Sequence, residues 1–484
     1  WGSDTFETQQ VLMARYPEAS VLTIGPAGEN LSRIAVILNE TASCAGQGGY
    51  GAVMGSKNLK AVVVRGTGAV KVARPDELLE LLNQRHRSGE WEAGPHQTWG
   101  RYPLVGGTIR ATMENRYLKK FSGCYGCPFQ CQGFYDVPGV GKGGQMCVES
   151  WYGFFSCESA EAMWNGNIMT QKLGINNFEM LGVMQFLVSG VENGIFSRAD
   201  VGLTSIPYLD SRHLTNCGGT EVHHQFLEEL LGGIADGSSI FSQGLARAAE
   251  QLGPAAVNLY DTLYPAFGYT RHHIEGAASA LHWATDTRDP FDSCHDYTSC
   301  FGWRADVAAH FGLPGGHFEP TRRMVYRGSE RSTVWVQHHQ CVKNSLPICE
   351  YASIPDLFFD PPAMDIRIFE SRLLSAVTGV DTNEHQLWKA GERIWNLRRA
   401  VMVLREDRHR EDDTLNHHWF ERVVGAGDER LPEPLDRAQW EDLKDRYYER
   451  RGWNTGNGRP TRAKLEQLGM GEVADTLEGA GRLG

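Results

Sequence analysis

The chain contains no run of eighteen apolar residues, so no membrane-spanning helix is expected. It carries no surplus of positive charge. With 59 acidic residues against 47 Lys and Arg the net charge is -12, and an acidic surface attracts neither nucleic acid nor an anionic membrane as its main partner. There is no internal repeat and no low-complexity tract, which removes the solenoid and disordered classes. The opening Trp1-Gly2-Ser3-Asp4-Thr5 has no methionine and no signal peptide; it reads as the inside of a domain, with an upstream segment expected. Cysteine, by contrast, is not scarce. Eleven are scattered over 484 residues, three of them within eight positions, a distribution that suits metal ligation in a reducing, cytoplasmic compartment better than a disulfide framework. A chain of this length exceeds one compact core and reads as about two to four domains.

The clustered cysteines are Cys124, Cys127 and Cys131, in Gly123-Cys124-Tyr125-Gly126-Cys127-Pro128-Phe129-Gln130-Cys131. Glycine and proline bend the backbone between them, so three thiolates can point at one centre without a regular helix or strand. Thiolates hold iron–sulfur clusters or zinc, and C-x2-C-x3-C with a distant fourth cysteine suits a cubane cluster better than the paired knuckles of a zinc ribbon. Cys349 and Cys341 both stand as sources of a fourth thiolate.

Short β-branched runs at 20–24, 34–38 and 60–65, bounded by Gly, Pro and Asn, predict three strands. Residues 45–58 between the last two hold five glycines, among them Gly46, Gly48 and Gly49, and end near Lys57. Such a loop lets backbone N–H groups approach an anion that the lysine neutralises, although the G-K-[ST] order of a nucleotide P-loop is missing; a surface loop is the plain alternative. On the anion reading, Gly49→Val lowers ligand content without unfolding the helical domains. From Pro75 onward the apolar spacing turns helical, over 76–87, 160–173, 178–193, 222–231, 240–252, 277–284, 365–378, 384–406 and 438–450. Gly232-Gly233 and Gly237 are expected to separate two of these helices.

Glu149 leads into the apolar aromatic stretch 151–155, where desolvation would raise its pKa and fit it for general acid–base work; it reads equally as a helix-start acid. Cys147, two residues earlier, reads as a core thiol. His295, in 289–297 (DPFDSCHDY), reads as a satisfied structural histidine that Asp292 or Asp296 would cap or pair with. The doublets beginning at His223, His272, His338 and His417 show no consistent ligand spacing and read as surface histidines.

Taken together, residues 48–61 (GGYGAVMGSKNLKA), the Cys124-x2-Cys127-Pro-x2-Cys131 run and 344–349 (NSLPIC) in place of D-x-L-G-L-C resemble the aldehyde ferredoxin oxidoreductase family of tungsten bis-pterin enzymes. Asp4-Thr5-Phe6-Glu7-Thr8, Ile24-Gly25-Pro26-Ala27-Gly28-Glu29-Asn30, Glu411-Asp412-Asp413-Thr414-Leu415, Gly452-Trp453 and Gly458-Arg459-Pro460-Thr461 fit as well, so the resemblance covers the whole chain. It implies an α+β fold: residues 1–70 as the C-terminal part of an N-terminal β-rich pterin-binding domain whose earlier part lies upstream, then two mainly α-helical domains at 71–267 and 268–484.

The resemblance also implies cofactors and partners. Cys124, Cys127, Cys131 and Cys349 would hold one [4Fe-4S] cluster. Cys44, Gly46, Gly48, Gly49 and Lys57 would approach a tungsten (or molybdenum) bis-pterin, with Mg2+ bridging the pterin phosphates, and Asn176 and Asn344 fall where the family has pterin-binding aspartates. Glu149 and His295 fall on its active-site glutamate and histidine. Electrons would pass to ferredoxin or an iron–sulfur partner subunit, in an oligomer. The departures are Gln47 for arginine, asparagine for both aspartates, and Gln145-Met146-Cys147-Val148-Glu149-Ser150 for P-E-Y-E-T. Asparagine keeps a carbonyl acceptor but removes a charge. A cysteine at 147 also matches the tungsten-dependent benzoyl-CoA reductase branch, which has a cysteine ligand on its metal. The implied activity is oxidation of aldehydes to acids or the reverse; the alternatives are reduction of an aryl-CoA ester and a cluster-bearing electron-transfer subunit without pterin.

Overall fold

A computed structural model of the chain describes residues 1–39, 43–87, 113–124, 132–145, 160–206, 220–264, 276–286, 324–348, 366–421 and 433–484. They fall into two units. The first is Trp1–Gly68, Trp91–Tyr260 and Gly268–Arg271; the second is Ala69–Glu90, Asp261–Phe267 and His272–Gly484.

The first unit opens on α1 (Thr5–Arg15), whose start is reciprocally capped. Asp4 accepts from the Glu7 backbone N–H at 2.8 Å and the Glu7 carboxylate accepts from the Asp4 N–H at 3.3 Å. Strand β1 (Ser20–Thr23), the short α2 (Pro26–Glu29) and strands β2 (Ile37–Asn39) and β3 (Ser43–Ala45) follow, then α3 (Tyr50–Ser56) and β4 (Ala61–Val64). The four strands form an antiparallel sheet in the order β3-β2-β1-β4, with Leu22 opposite Asn39 and Val62, and Leu38 opposite Cys44. The strand expected over 34–38 is displaced, because the backbone of 34–36 is used elsewhere. Val36 N donates to Gly174 O at 2.8 Å, Asn176 N to Ile34 O at 3.0 Å and Gly51 N to Ala35 O at 3.0 Å.

The loop expected across 45–58 is corrected too, since half of it is the helix α3. Its glycines serve close packing: a Cβ on Gly51 would meet Val36 O at 2.6 Å, and one on Gly55 would meet Gly28 O at 1.9 Å. Only glycine lets α3 lie this close to α2 and to residues 35–36.

Helix α4 (Pro75–Arg87) belongs to the second unit, after which the chain returns to the first with a second sheet that the helical reading of this region missed. Strands β5 (Leu118–Ser122), β6 (Gln132–Val137) and β7 (Gly141–Gln145) pair antiparallel in chain order. Strand β7 reads Gly-Lys-Gly-Gly-Gln, a poor strand by propensity; pairing with β6 makes it one. Its glycines admit Trp164, whose indole N–H donates to Gly141 O at 3.0 Å.

Helices α5 (Ala160–Leu173), α6 (Asn177–Glu192), α7 (Thr220–Asp236) and α8 (Leu245–Leu252) complete this unit, and α9 (Pro254–Leu263) ends it at Tyr260. Helix α7 runs through Gly232-Gly233, where a break was expected. Two interior glycines cost about 2 kcal/mol. Phe226, Leu227, Leu230, Leu231 and Ile234, all buried, each return about 1.5–3 kcal/mol, so burial wins.

The second unit is helical: α4, then α10 (Ala277–Thr285), α11 (Ser329–Ser345), α12 (Ile366–Thr378), α13 (Glu384–Glu406), α14 (Arg437–Arg451), α15 (Arg462–Gln467) and α16 (Gly471–Gly479). Leu81 of α4 packs with Phe369 and Ala376 of α12. Ala400 and Val403 of α13 pack with Leu465, Leu468, Ala474 and Leu477 of the C-terminal hairpin. Helix α11, which no apolar stripe announces, is buried nearly throughout. Its His338-His339 doublet is therefore core, not surface as the spacing suggested: His338 Nε2 contacts Arg451 Nη1 at 2.5 Å, and His339 Nε2 lies 3.1 Å from Glu370 Oε1. No described helix is long and apolar enough to cross a membrane.

Candidate functional site

The pairing of residues 34–36 with 174–176 joins two stretches that are distant in sequence. The backbone bridge Ala35–Ile175 delivers Asn176 beside the turn that follows β3. Asn176 is buried and caps α6, its Oδ1 accepting from Phe178 N at 3.0 Å while its Nδ2 donates to Gln47 Oε1 at 2.8 Å. A Cβ built on Gly46 would stand 3.5 Å from Cys44 Sγ and 3.9 and 4.0 Å from Asn176 Nδ2 and Oδ1. Cys44, Gly46, Gln47 and Asn176 thus converge on one spot. The set is polar and uncharged: amide donors, amide acceptors and an exposed thiol.

The next two residues turn the chain. Gly48 and Gly49 have φ of +100° and +67°, and a Cβ on Gly49 would lie 2.3 Å from Arg33 O. The fold itself therefore demands glycine at 49, whereas at 46 the contacts of an added Cβ would be ordinary. Lys57 is not brought to this turn. It caps the C-terminal end of α3 and is exposed, and seven helical residues separate it from Gly49 by about 10 Å. The single anion site expected of the glycines and the lysine resolves into a tight turn at one end of α3 and a lysine at the other.

Cys124 is exposed and lies two residues after β5; Cys127, Cys131, Cys147, Glu149, His295 and Cys349 lie outside the described residues. Asn344 is exposed in the last turn of α11, in the second unit. Cys341, the other source considered for a fourth thiolate, is buried inside α11 with Arg398 Nη1 at 3.9 Å. Burial pushes its thiol pKa up, although the Arg398 charge opposes this, so it sits as a core thiol.

Several segments that carry the family likeness form one knot in the second unit. Arg399 grips Asp413 with both ends of its guanidinium, at 2.8 Å each, and donates to Gly458 O at 2.8 and 3.1 Å. Arg408 Nε and the Tyr448 hydroxyl also donate to Asp413, at 3.1 and 2.6 Å, and Trp453 lies under Arg399 at 4.9 Å. Burial raises the Asp413 pKa, but Arg399, Arg408 and Tyr448 outweigh it and hold the carboxyl below its usual value. Sequence reading missed both this role and the Gln47–Asn176 contact. The residues of the contact stand 129 apart, and nothing local signals it.

Comparison with known proteins covers nearly the whole chain. The profile described as aldehyde ferredoxin oxidoreductase, N-terminal domain, matches residues 1–66, and that for domains 2 and 3 of the same enzyme matches residues 66–470. The tungsten-containing aldehyde ferredoxin oxidoreductase of Pyrococcus furiosus is 26% identical over 98% of this chain and 77% of its own length. The enzyme of the same name from Thermococcus kodakarensis is 24% identical over the same shares. An aliphatic sulfonate oxidoreductase, WOR-like subunit, from Pyrococcus furiosus is 25% identical over 94% of this chain and 71% of its own. Among solved structures, the active site complex of benzoyl coenzyme A reductase with 1,5-dienoyl-CoA shares the fold, with a TM-score of 0.74 at 20% identity, covering all of this chain and 78% of that one. The chain belongs to the aldehyde ferredoxin oxidoreductase family and is an oxidoreductase.

Proposed function

We propose that the chain is a tungsten (or molybdenum) bis-pterin oxidoreductase carrying one [4Fe-4S] cluster, which interconverts aldehydes and carboxylic acids and exchanges electrons with ferredoxin or an iron–sulfur partner subunit. The observation that carries this reading is the likeness, over 98% of the chain, to relatives named tungsten-containing aldehyde ferredoxin oxidoreductases. The described residues fit the cofactor chemically: the space a Cβ at Gly46 would fill, ringed by Gln47 and Asn176 amides and the Cys44 thiol, suits the polar edge of a pterin. When bound, the metal–pterin group would supply the two-electron exchange with the carbon substrate, and the cluster would carry electrons away.

The chain's own residues do the rest. Gln47 and Asn176 present amide groups to the ring edge, and asparagine in place of aspartate at 176 and at 344 offers a neutral acceptor where the family has a charge. Glu149 moves the proton at the reacting carbon and His295 hydrogen-bonds the substrate carbonyl. Cys124, Cys127, Cys131 and Cys349 ligate the cluster. Cys147 favours a second reading, an aryl-CoA reductase with a protein thiolate on the metal.

Elemental and pterin analysis of the purified protein tests the reading. Tungsten or molybdenum with pterin and about four irons per chain is the expected result. Iron alone would replace the enzyme with an electron-transfer subunit. Within the iron-containing protein, Cys349→Ala should abolish the EPR signal of the reduced cluster and Cys341→Ala should leave it; the opposite outcome would move the fourth ligand to Cys341.

A further inference from the structure

Residues His417–Phe420 form a 3-10 turn followed by Glu421, far in sequence from the cysteine run and the glycine turn. Adjacent side chains on a 3-10 turn leave the axis about 120° apart. Here they do not diverge: the His417 and His418 rings lie with centroids 3.8 Å apart, at 42°. A ring nitrogen of each and a Glu421 carboxylate oxygen all fall within 4.8 Å of one another. Neutral imidazole is the ligand form of histidine, and the two rings bring a nitrogen each to the same place as the carboxylate.

The turn is fixed from below. Trp419 is fully buried, its indole N–H donates to Tyr264 O at 3.3 Å, the Asn416 amide donates to the same oxygen at 2.8 Å, and Trp419 O accepts from Leu435 N at 2.9 Å. Two nitrogens and one carboxylate on a pinned turn make a donor set for a borderline divalent transition ion and a poor one for calcium or magnesium.

We infer that His417, His418 and Glu421 form a binding site for a divalent transition metal ion of the zinc type, separate from the cluster cysteines. His417 and Glu421 are exposed, so His417→Ala and Glu421→Gln are expected to fold. His418 is buried and is left intact.

The test adds zinc chloride to the metal-loaded enzyme under anaerobic conditions, counts zinc after gel filtration, and repeats the binding with cobalt(II) to follow its visible d–d bands. Wild type should retain one zinc more per chain than either variant and should show cobalt bands that both variants lose, with zinc affinity falling by about 100-fold. Iron and tungsten contents should be the same in all three proteins, which keeps this test distinct from that of the enzymatic function. Equal zinc retention and equal cobalt spectra in wild type and variants would overturn the inference. So would loss of zinc accompanied by loss of iron, which would assign the zinc to the cysteines.

Discussion

Gly46 and Gly49 stand three residues apart, and different forces hold each of them as glycine. At Gly49 the backbone is left-handed and a Cβ would strike Arg33 O at 2.3 Å, so Gly49→Val should cost about 1–3 kcal/mol from the backbone conformation alone, with the clash added. That variant lowers the melting temperature whatever it does to a ligand. This corrects the expectation that Gly49→Val reports on pterin without unfolding. Gly46→Ala is the cleaner probe. Its Cβ would meet only ordinary contacts, so stability should change by less than about 0.5 kcal/mol, while the added methyl occupies the space between Cys44 and Asn176 where the cofactor edge is proposed to lie. The expected outcome is an unchanged thermal transition with reduced pterin content. Full pterin content in Gly46→Ala would remove this turn from the cofactor site. The sequence showed that glycines cluster here but not which of them serve the chain, because that depends on Arg33, Val36 and Gly28 carbonyls that only the folded backbone brings near.

At the scale of elements, legibility depended on how far a segment's own residues declare it. Helices α5 and α13 fall at the residues predicted for them, and α13 starts at a reciprocal cap in which Asn383 accepts from Gln386 N and Gln386 accepts from Asn383 N. Helix α11 was invisible because polar side chains fill its buried positions and find partners on three other helices. Gln337 donates to Thr285 Oγ1 at 3.0 Å and accepts from the Tyr447 hydroxyl at 2.8 Å. Strand β7 was invisible for the related reason that β6, not its own residues, makes it a strand. Elsewhere in the second unit the core depends on charge. The Asp413 knot ties α13 to α14 and to Gly458, and Asp413→Asn would leave Arg399 buried beside a neutral partner, a loss of about 3–5 kcal/mol measurable by urea unfolding. The pH dependence follows from the sign of the shift. The folded Asp413 carboxyl titrates below its unfolded value, so its contribution is complete above about pH 4 and disappears as pH falls through the lower folded value. Wild type should therefore lose stability in that acid range more steeply than Asp413→Asn. Parallel profiles would show that the knot does not act through charge.

For the molecule as a whole, the family was legible because its motifs are spread along the entire chain, and no single run of eight residues would have carried it. The substrate was not legible, and the relatives show why. Proteins named for aldehydes and for aliphatic sulfonates stand at 26% and 25% identity to this chain, so likeness of this degree fixes the fold and the redox class while leaving the carbon chemistry to a few side chains. Cys147 and Glu149 are the pair on which we propose that this choice turns. Two residues apart, they point about 200° from each other on a helix but share a face in an extended segment, where both could reach one metal. Were the chain an aldehyde oxidoreductase, Glu149 would handle the substrate proton and Cys147 would take no part. Glu149→Gln should then lower turnover by roughly 10²–10⁴-fold, and Cys147→Ser should be nearly silent. For a reductase with a thiolate-bound metal, Cys147→Ser instead replaces a soft ligand by a hard one and shifts the metal's potential more than the shape of its site. X-ray absorption at the tungsten edge separates the two: the same sulfur count in wild type and Cys147→Ser supports the aldehyde reading, and a sulfur that disappears in the variant makes Cys147 a metal ligand and the aryl-CoA reading the better one.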